Sequence, residues 1–232
     1  HEGDKCLIKL GLDGKSNVAG YGCTFCGGNS QFIYIPDSVI EADCIIPYDK
    51  NAAAFYGSVS EPMACIISGY HSCFHSEYGV YHHEMGTKKG GNLALLASCG
   101  PMGFGAIDYA LHCDRAPKLL VVTDINDERI ARAASIYTVE HAAELGIELH
   151  YVNTAKEENG GTDKLMELSG GKGYDDVIVF APVSAVLEQG HAIMGDNGCM
   201  NFFAGPIDHN FSANINFHKV HYRRVNIFGT SG

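Results

Sequence analysis

A glycine-rich turn between an apolar run and a helical segment constrains the fold of this chain more than any other stretch. Leu93–Ala97 is a short apolar run bounded by glycines, which is typical of a strand buried on both faces. Ala106–Leu111 has apolar residues at helical spacing, and the turn between the two segments contains Gly100 and Gly103. Strand, tight turn and helix in this order point backbone N–H groups and a positive helix end at a diphosphate. The stretch therefore predicts the start of a nucleotide-binding βαβ unit.

A strand-end carboxylate further along the chain strengthens this prediction. Gly100 would let the backbone approach the anion and Gly103 would let the helix pack closely on the strand, although Ser98 replaces the first glycine of G-x-G-x-x-G. Lys118–Asp124 reads as a second buried strand, and Asp124 follows Gly103 by 21 residues, where the hydroxyls of an adenosine ribose are bound. Taken alone, the glycine-rich stretch could be an ordinary tight turn, and Asp124 could be an aspartate that caps the next helix. Their combination in one βαβ unit favours nucleotide binding.

The second half of the chain alternates between strand and helix patterns. The predicted strands are Leu93–Ala97, Lys118–Asp124, Glu148–Val152, Asp175–Phe180, Gly198–Phe203 and Arg224–Phe228. The predicted helices between them include Asp127–Leu145, Thr162–Leu168 and Ser184–Met194. This alternation predicts an α/β fold with a doubly wound parallel six-stranded sheet, the Rossmann architecture.

The first 57 residues differ in sequence pattern from the second half of the chain. Short β-like runs such as Cys6–Leu10 and Ser30–Ile35 are separated by glycine, asparagine and aspartate turns, which suggests a small barrel or part of one. A helix is predicted to begin near Ser60, with Pro62 in its first turn.

Composition excludes several classes of protein. The net charge of -11 argues against nucleic acid or an anionic membrane as a partner, and no apolar run is long enough to span a bilayer. No signal peptide is visible at the start of the sequence. Nine cysteines at irregular spacing are expected to be reduced thiols in a cytoplasmic protein.

Several motifs, in order along nearly the whole chain, resemble the zinc-type medium-chain alcohol and sorbitol dehydrogenases, in a branch similar to sorbose-1-phosphate reductase. They are Gly27–Pro36, Ser60–Met63, Cys99–Gly103, Phe203–Gly205 and Asn226–Gly232. The resemblance implies part of a GroES-like β-barrel catalytic domain with its linking helix over residues 1–75, and a Rossmann domain over residues 76–232. It also implies an oxidoreductase that moves a hydride between NAD(H) and a secondary alcohol or ketone of a polyol or sugar phosphate, assisted by zinc.

The resemblance also assigns site residues. Residues implied to bind the dinucleotide are Gly100, Pro101, Met102, Gly103, Asp124, Phe180, Ala181, Ala204 and Gly205. Glu61 is implied to be a zinc ligand or a close neighbour of the metal and to serve catalysis, with His1 and Glu2 as ligand and neighbour. The ordinary explanation of Glu61 is a first-turn acid favoured by the helix dipole. Because Asp124 would repel a 2′-phosphate, NAD is expected in preference to NADP.

The chain departs from the family pattern in three places, one of which is that the family returns to the catalytic domain after its sixth strand, where this sequence stops. No residue takes the place of the early cysteine that binds the catalytic zinc, and Gly3-Asp4 follows His1-Glu2 where the family has a longer stretch. Either a segment is missing after Glu2 or His1 is an expression remnant, so the chain is expected to be a fragment of a longer, homo-oligomeric dehydrogenase. Two alternatives stay open: a nucleotide-binding fragment without catalysis, because the metal site is incomplete, and a zinc-free reductase of the quinone-reductase kind.

Two further groups of side chains that could bind a metal are interpreted as having no metal-binding role. Cys23 and Cys26 have C-x-x-C spacing without a second pair, and are expected to be reduced thiols in a turn. His71 and His75 are expected at i, i+4 on one helix, followed by His82 and His83. Without an acid nearby in the sequence, these histidines are interpreted as a solvated face.

Overall fold

The computed structural model describes residues 6–8, 32–41, 43 and 45–230. The predictions at His1, Glu2, the Gly3-Asp4 step, Cys23 and Cys26, residues 9, 10, 30 and 31 of the two early strands, and the end of the last motif lie outside these residues. The chain divides into two compact units, and the boundary falls between Glu61 and Pro62. The predicted domain boundary at residues 75 and 76 stays a prediction.

In the first unit, the described residues form one small sheet and one short helix. Strand β1, Cys6–Ile8, pairs antiparallel with β2, Ile45–Pro47, and helix α1 covers Asp37–Glu41. The strand predicted over Ser30–Ile35 is wrong for residues 32–35, which have no regular structure. The barrel itself stays a prediction.

Helix α2 crosses the unit boundary and is longer than the sequence suggests. It runs from Ala54 to His71, so Pro62 lies inside it and the predicted start at Ser60 is wrong. Ser60 bonds backward instead, since its Oγ donates to the Gly57 carbonyl at 2.8 Å. Ser-Glu-Pro looks locally like a helix start, but the six residues before Ser60 already continue the helix.

The second unit begins with a hairpin and then enters the main sheet. Strands β3, Phe74–Ser76, and β4, His83–Met85, pair antiparallel. The later strands are β5, Asn92–Leu96; β6, Leu119–Asp124; β7, Glu148–Asn153; β8, Tyr174–Val179; β9, Met194–Phe202; and β10, Asn226–Gly229. The later helices are α3, Pro101–His112; α4, Asp127–Ile136; α5, Val139–Glu144; α6, Thr162–Leu168; α7, Ser184–Ile193; and α8, Phe217–Arg223.

The six later strands form one parallel sheet in the order β7-β6-β5-β8-β9-β10. This is the doubly wound order of the Rossmann fold, and the predicted fold class is confirmed. All five residues of β5 are buried, because this strand lies in the middle of the sheet.

Two apolar cores cover the two faces of the sheet. Along β5, Leu93 and Leu95 face one core, and Ala94 and Leu96 face the other. Buried residues of α2, α3, α4 and α5 complete the first core, while α6 and α7 pack in the second. Helices on both faces explain why the strands read as continuous apolar runs.

Two details differ from the sequence prediction. The single helix predicted over Asp127–Leu145 is broken at Tyr137, and Thr138 caps α5 by accepting a hydrogen bond from the His141 N–H at 3.1 Å. His71 and His75 do not share a helix, because α2 ends at His71 and His75 lies in β3. Among the described helices, none is long and apolar enough to cross a membrane.

Candidate functional site

The predicted dinucleotide residues come together at the carboxyl edge of the parallel sheet. β5 and β8 are neighbours at the point where the strand order reverses. The chain leaves β5 toward β6 and leaves β8 toward β9, so the two turns diverge and open a crevice between them. Gly100 to Gly103 follow β5, Asp124 ends β6, and the later residues follow β8 and β9.

The turn after β5 is too tight for any residue except glycine at position 103. A Cβ atom built on Gly103 would lie 1.6 Å from the Ser98 carbonyl oxygen and 2.6 Å from Ser98 Cα. Helix α3 therefore touches the end of β5 through bare backbone. Gly100 differs, because a Cβ atom there would meet nothing within 4 Å. It caps the helix on the open side, with Pro101 as the first helical residue.

The turn also explains why Ser98 can replace the first glycine of the motif. Ala97, with a φ of 55°, has the left-handed backbone conformation in this turn, and Ser98 does not have it. The Ala97 N–H donates to Thr123 Oγ1 at 3.1 Å, and the Ser98 N–H donates to the Thr123 carbonyl at 2.8 Å. Hydrogen bonds to the end of β6 thus hold the turn.

Asp124 links this turn to the next one. Its Oδ2 accepts from the Cys99 N–H at 3.2 Å, while Oδ1 accepts from the N–H groups of Ile125 at 2.8 Å and Asn126 at 3.1 Å. The residue is only 5% exposed. An ionised carboxylate offers about four acceptor positions, so three backbone donors leave room for one more partner. Burial and then the Asp124 charge raise the pKa of the neighbouring Cys99 thiol to about 12, so Cys99 stays protonated.

The ends of β8 and β9 form the other side of the crevice. The N–H groups of Phe203 and Ala204 both donate to the Val179 carbonyl, at 3.1 and 3.0 Å, and the Phe180 N–H donates to the Leu96 carbonyl at 3.0 Å. The rings of Phe180 and Phe203 pack with their centroids 5.2 Å apart. This geometry places Phe180, Ala181, Ala204 and Gly205 beside the turn after β5. Their roles in cofactor binding stay predictions.

The structure places Glu61 in the middle of α2 and exposes it. A helix dipole acts on charges within the first turn, so the first-turn explanation of this glutamate does not apply. His1 and Glu2 lie outside the described residues, and Glu61 is therefore the only proposed zinc ligand whose surroundings are described. Its role as a ligand stays a prediction.

One cluster of functional side chains was missed by the sequence interpretation. His75 Nε2 lies 3.0 Å from Asp176 Oδ1, and His75 Nδ1 lies 3.2 Å from the Asn197 carbonyl oxygen. Burial lowers the pKa of His75, but the hydrogen bond and charge of Asp176 outweigh burial, so the net pKa is raised. The interpretation of His75 as a solvated histidine without an acid partner is wrong. The acid is 101 residues away in sequence, and only the position of the β3–β4 hairpin beside the main sheet brings it close.

Comparisons with known proteins show which proteins this chain is similar to. No family model matches the chain. It is 49% identical to the mannitol-1-phosphate 5-dehydrogenase of Aliivibrio fischeri over 214 residues, which are 92% of this chain and 50% of that protein. It is 38% identical to the L-sorbose 1-phosphate reductase of Klebsiella pneumoniae over 96% of this chain and 52% of that protein.

A solved structure supports the same placement at the level of fold. A Sinorhizobium meliloti protein named for a zinc-binding dehydrogenase superposes with a TM-score of 0.67, at 16% identity, over 91% of this chain and 53% of that one. The chain is thus similar in sequence to two sugar-phosphate dehydrogenases or reductases and similar in fold to a zinc-binding dehydrogenase. The family resemblance inferred from the sequence motifs is thereby confirmed. The chain spans about half the length of the curated relatives it matches.

Proposed function

We propose that the protein to which this chain belongs is an oxidoreductase. It would move a hydride between NAD(H) and a secondary alcohol or ketone of a polyol or sugar phosphate. The observation that carries the proposal is the contact between Gly103 and Ser98 at the crevice between β5 and β8. The names of the curated relatives, which act on mannitol 1-phosphate and L-sorbose 1-phosphate, support the substrate class.

The first turn of α3 would hold the cofactor diphosphate. The first N–H groups of a helix have no partner within the helix, and their dipoles favour an anion. Pro101 contributes no N–H, so Gly100, Met102 and Gly103 would supply the donors. The open space around Gly100 lets a diphosphate reach this backbone, and the contact at Gly103 fixes the helix against the strand.

Asp124 would accept a hydrogen bond from an adenosine ribose hydroxyl. Its position at the end of β6 suits that role, and a 2′-phosphate would bring a second anion to a nearly buried carboxylate. The Sinorhizobium meliloti relative was solved with NADP, so the shared fold permits either dinucleotide. The charge at Asp124 favours NAD in this chain.

Zinc, when bound, would acidify the substrate hydroxyl and polarise the product carbonyl. Glu61, with His1 and Glu2, is the proposed ligand set. The paired rings of Phe180 and Phe203 would present an apolar wall beside the nicotinamide, where water must be kept from the hydride.

We further propose that the whole protein is a cytoplasmic homo-oligomer. None of the described cysteines is in a disulfide, which suits a reducing compartment. β10 is the outer strand of the sheet, and Ile227 on it is 37% exposed, so this edge could pair with a second copy. Sedimentation of the whole protein would test the oligomeric state.

Titration of the chain with NADH, read by calorimetry, tests the dinucleotide site. Gly100→Ala should fold like the unmodified chain, because its Cβ atom meets no protein atom, yet weaken NADH binding on the order of tenfold, about 1.4 kcal/mol. Gly103→Ala should instead lower the melting temperature, because its Cβ atom collides with backbone. Unchanged NADH affinity in Gly100→Ala would place the diphosphate elsewhere.

Asp124→Ser should narrow or reverse the preference for NAD over NADP. Asp124→Asn is the matched control, because it keeps one acceptor oxygen and the size of the side chain while removing the charge. Both variants should gain NADP affinity if charge decides the choice. A preference for NADP in the unmodified chain would contradict this role of Asp124.

Turnover and metal content of the whole protein separate the remaining alternatives. Glu61→Ala should lower zinc content or rate while the melting temperature changes little. NADH binding without turnover of any polyol phosphate would favour a binding protein, and turnover without zinc would favour a zinc-free reductase.

A further inference from the structure

Outside the dinucleotide crevice, four metal-binding side chains meet between the hairpin and the sheet. The two sulfur atoms of Cys73 and Cys199 and a carboxylate oxygen of Asp176 all lie within 4.8 Å of one another. His75 joins them, with Nε2 at 3.0 Å from Asp176 Oδ1. Among the described residues, Cys73, Asp176 and Cys199 are the only group of three or more such donors within metal-binding reach, and His75 reaches this group through Asp176.

The pairing of the strands explains how the four donors meet. Cys73 directly precedes β3 and His75 lies within it, so both point to the same side, as residues two apart in a strand do. Asp176 of β8 and Cys199 of β9 are direct partners in the parallel pairing, so they also share a side. Two donors from the hairpin therefore face two donors from the sheet.

The cluster is closed to solvent. Cys73 and Cys199 have no exposed surface and Asp176 is 1% exposed. Burying a carboxylate beside two thiols is costly unless a cation neutralises it. The His75 side chain, at 12% exposed, is the outermost member and lies where an ion could enter.

Hydrogen bonds with surrounding backbone already orient three of the donors, His75, Asp176 and Cys199. The Asn197 carbonyl can accept from His75 Nδ1, the Lys88 N–H donates to Asp176 Oδ2 at 2.7 Å, and the Phe74 N–H donates to Cys199 Sγ at 3.4 Å. Such outer bonds fix the tautomer and orientation of metal ligands in known sites. The two sulfur atoms and a carboxylate oxygen of Asp176 remain close to one another, and His75 Nε2 lies beside Asp176 Oδ1.

We propose that Cys73, His75, Asp176 and Cys199 form a structural zinc site. Two thiolates, one imidazole and one carboxylate are ligand types that zinc prefers, and four ligands match its usual tetrahedral coordination. All four positions come from the protein, so the ion has no open position for substrate and acts to join the hairpin to β8 and β9. Binding releases the thiol protons and the second proton of His75, so affinity falls as the pH is lowered.

Cobalt substitution tests the site directly. The full chain, reduced and stripped with a chelator, is titrated with Co²⁺. The expected result is a thiolate-to-cobalt absorption band together with the intense visible bands of tetrahedral cobalt, both removed by added Zn²⁺. Cys199→Ser and Asp176→Asn should each weaken Co²⁺ binding about tenfold or more.

Control variants separate this site from other metal sites in the chain. Cys113→Ser should keep the thiolate band, because its sulfur atom is not in the cluster. The double variant Cys23→Ser, Cys26→Ser removes the C-x-x-C pair, and it should also keep the band if the four proposed residues bind the ion. Glu61→Ala should also keep it, so a failed catalytic zinc would not be mistaken for a failed structural one. A band that survives Cys199→Ser, or vanishes with Cys23 and Cys26, would overturn the proposal.

A stability measurement covers the case in which the cluster variants do not fold. In the Glu61→Ala background, the melting temperature should rise with free zinc concentration, as it does for any ligand that binds only the folded state. A melting temperature independent of zinc, or a Cys73–Cys199 disulfide that forms while reduced protein binds no cobalt, would overturn the proposal.

Discussion

At the scale of single residues, Ala97 is the one residue of the β5 turn held in an unfavourable backbone conformation. Its φ of 55° is left-handed, and a side chain with a Cβ atom costs about 1 kcal/mol or more there. No local pattern predicts this strain, because alanine at a strand end gives no turn signal. The glycine motif therefore looks imperfect at Ser98. The position that needs the conformational freedom of glycine is Ala97, one residue earlier.

Ala97→Gly should raise the free energy of unfolding by about 1 kcal/mol, because glycine adopts this conformation without strain. Ala94→Gly is the matched control, since Ala94 is fully buried within β5 and should lose stability when shortened. Urea unfolding measures both. Equal destabilisation by the two variants would show that the left-handed conformation is not costly here.

His191 on α7 makes stability depend on pH. The residue is 4% exposed, and neither ring nitrogen has a hydrogen-bond partner in the described part of the chain. Burial, then the nearby Lys219 ammonium, lowers the pKa of His191, and the Asn216 backbone opposes this only in part. The unfolded chain therefore binds a proton at His191 more readily than the folded one, so this residue reduces stability as pH falls below about 6.5.

His191→Leu should flatten that dependence. Urea midpoints of the unmodified chain and the variant should differ more at pH 5.5 than at pH 7.5. The variant should also gain about 1 kcal/mol at neutral pH, because an unpaired buried polar group is removed. Parallel pH profiles for the two proteins would rule out His191 as the titrating group.

At the scale of elements, local patterns predicted most of the second unit and failed where the decisive contact was distant or subtle. The six apolar runs predicted their strands, and Thr162–Leu168 was predicted with the observed bounds. The break at Tyr137 was missed because no glycine or proline marks it. The contact of His75 with Asp176 was missed because it forms between the hairpin and the main sheet, which sequence spacing does not show.

Likewise, the positions of the turn after β5 and of Asp124 could be predicted because one βαβ unit contains a recognisable motif; their role in cofactor binding stays a prediction. The position of Glu61, the proposed zinc ligand, was predicted less well. Glu61 sits in a helix whose start was placed six residues too late, since Ser60 and Pro62 imitate a helix start.

The break between α4 and α5 gives a prediction at this scale. Thr138→Ala should lower the free energy of unfolding by about 1 kcal/mol, because the α5 cap bond to the His141 N–H is lost. Ser135→Ala is the control: this exposed serine bonds only to the Arg132 carbonyl within α4, and alanine favours a helix. Denaturant unfolding should show loss in the first variant only; no loss at Thr138 would mean that the cap is dispensable.

At the scale of the whole molecule, every predicted dinucleotide residue belongs to the second unit. A shortened chain that begins at Ala54 keeps α2 whole and the complete parallel sheet. It should bind NADH with the affinity of the full chain, measured by calorimetry, because both sides of the crevice are retained. A large loss of affinity would mean that residues before Ala54 contribute to the site.

The position of β5 in the middle of the sheet has a consequence for synthesis on the ribosome. One edge of β5 can pair with β6 soon after both emerge, but the other edge waits for β8, and Asn92 and Asp175 are 83 residues apart. At about 5 to 20 residues per second, that delay is on the order of several seconds. During it, a strand that is apolar from Leu93 to Leu96 offers unpaired backbone to other nascent chains. Yield in the cell should therefore depend on chaperones and on translation speed between β5 and β8 more than on the stability of the finished fold.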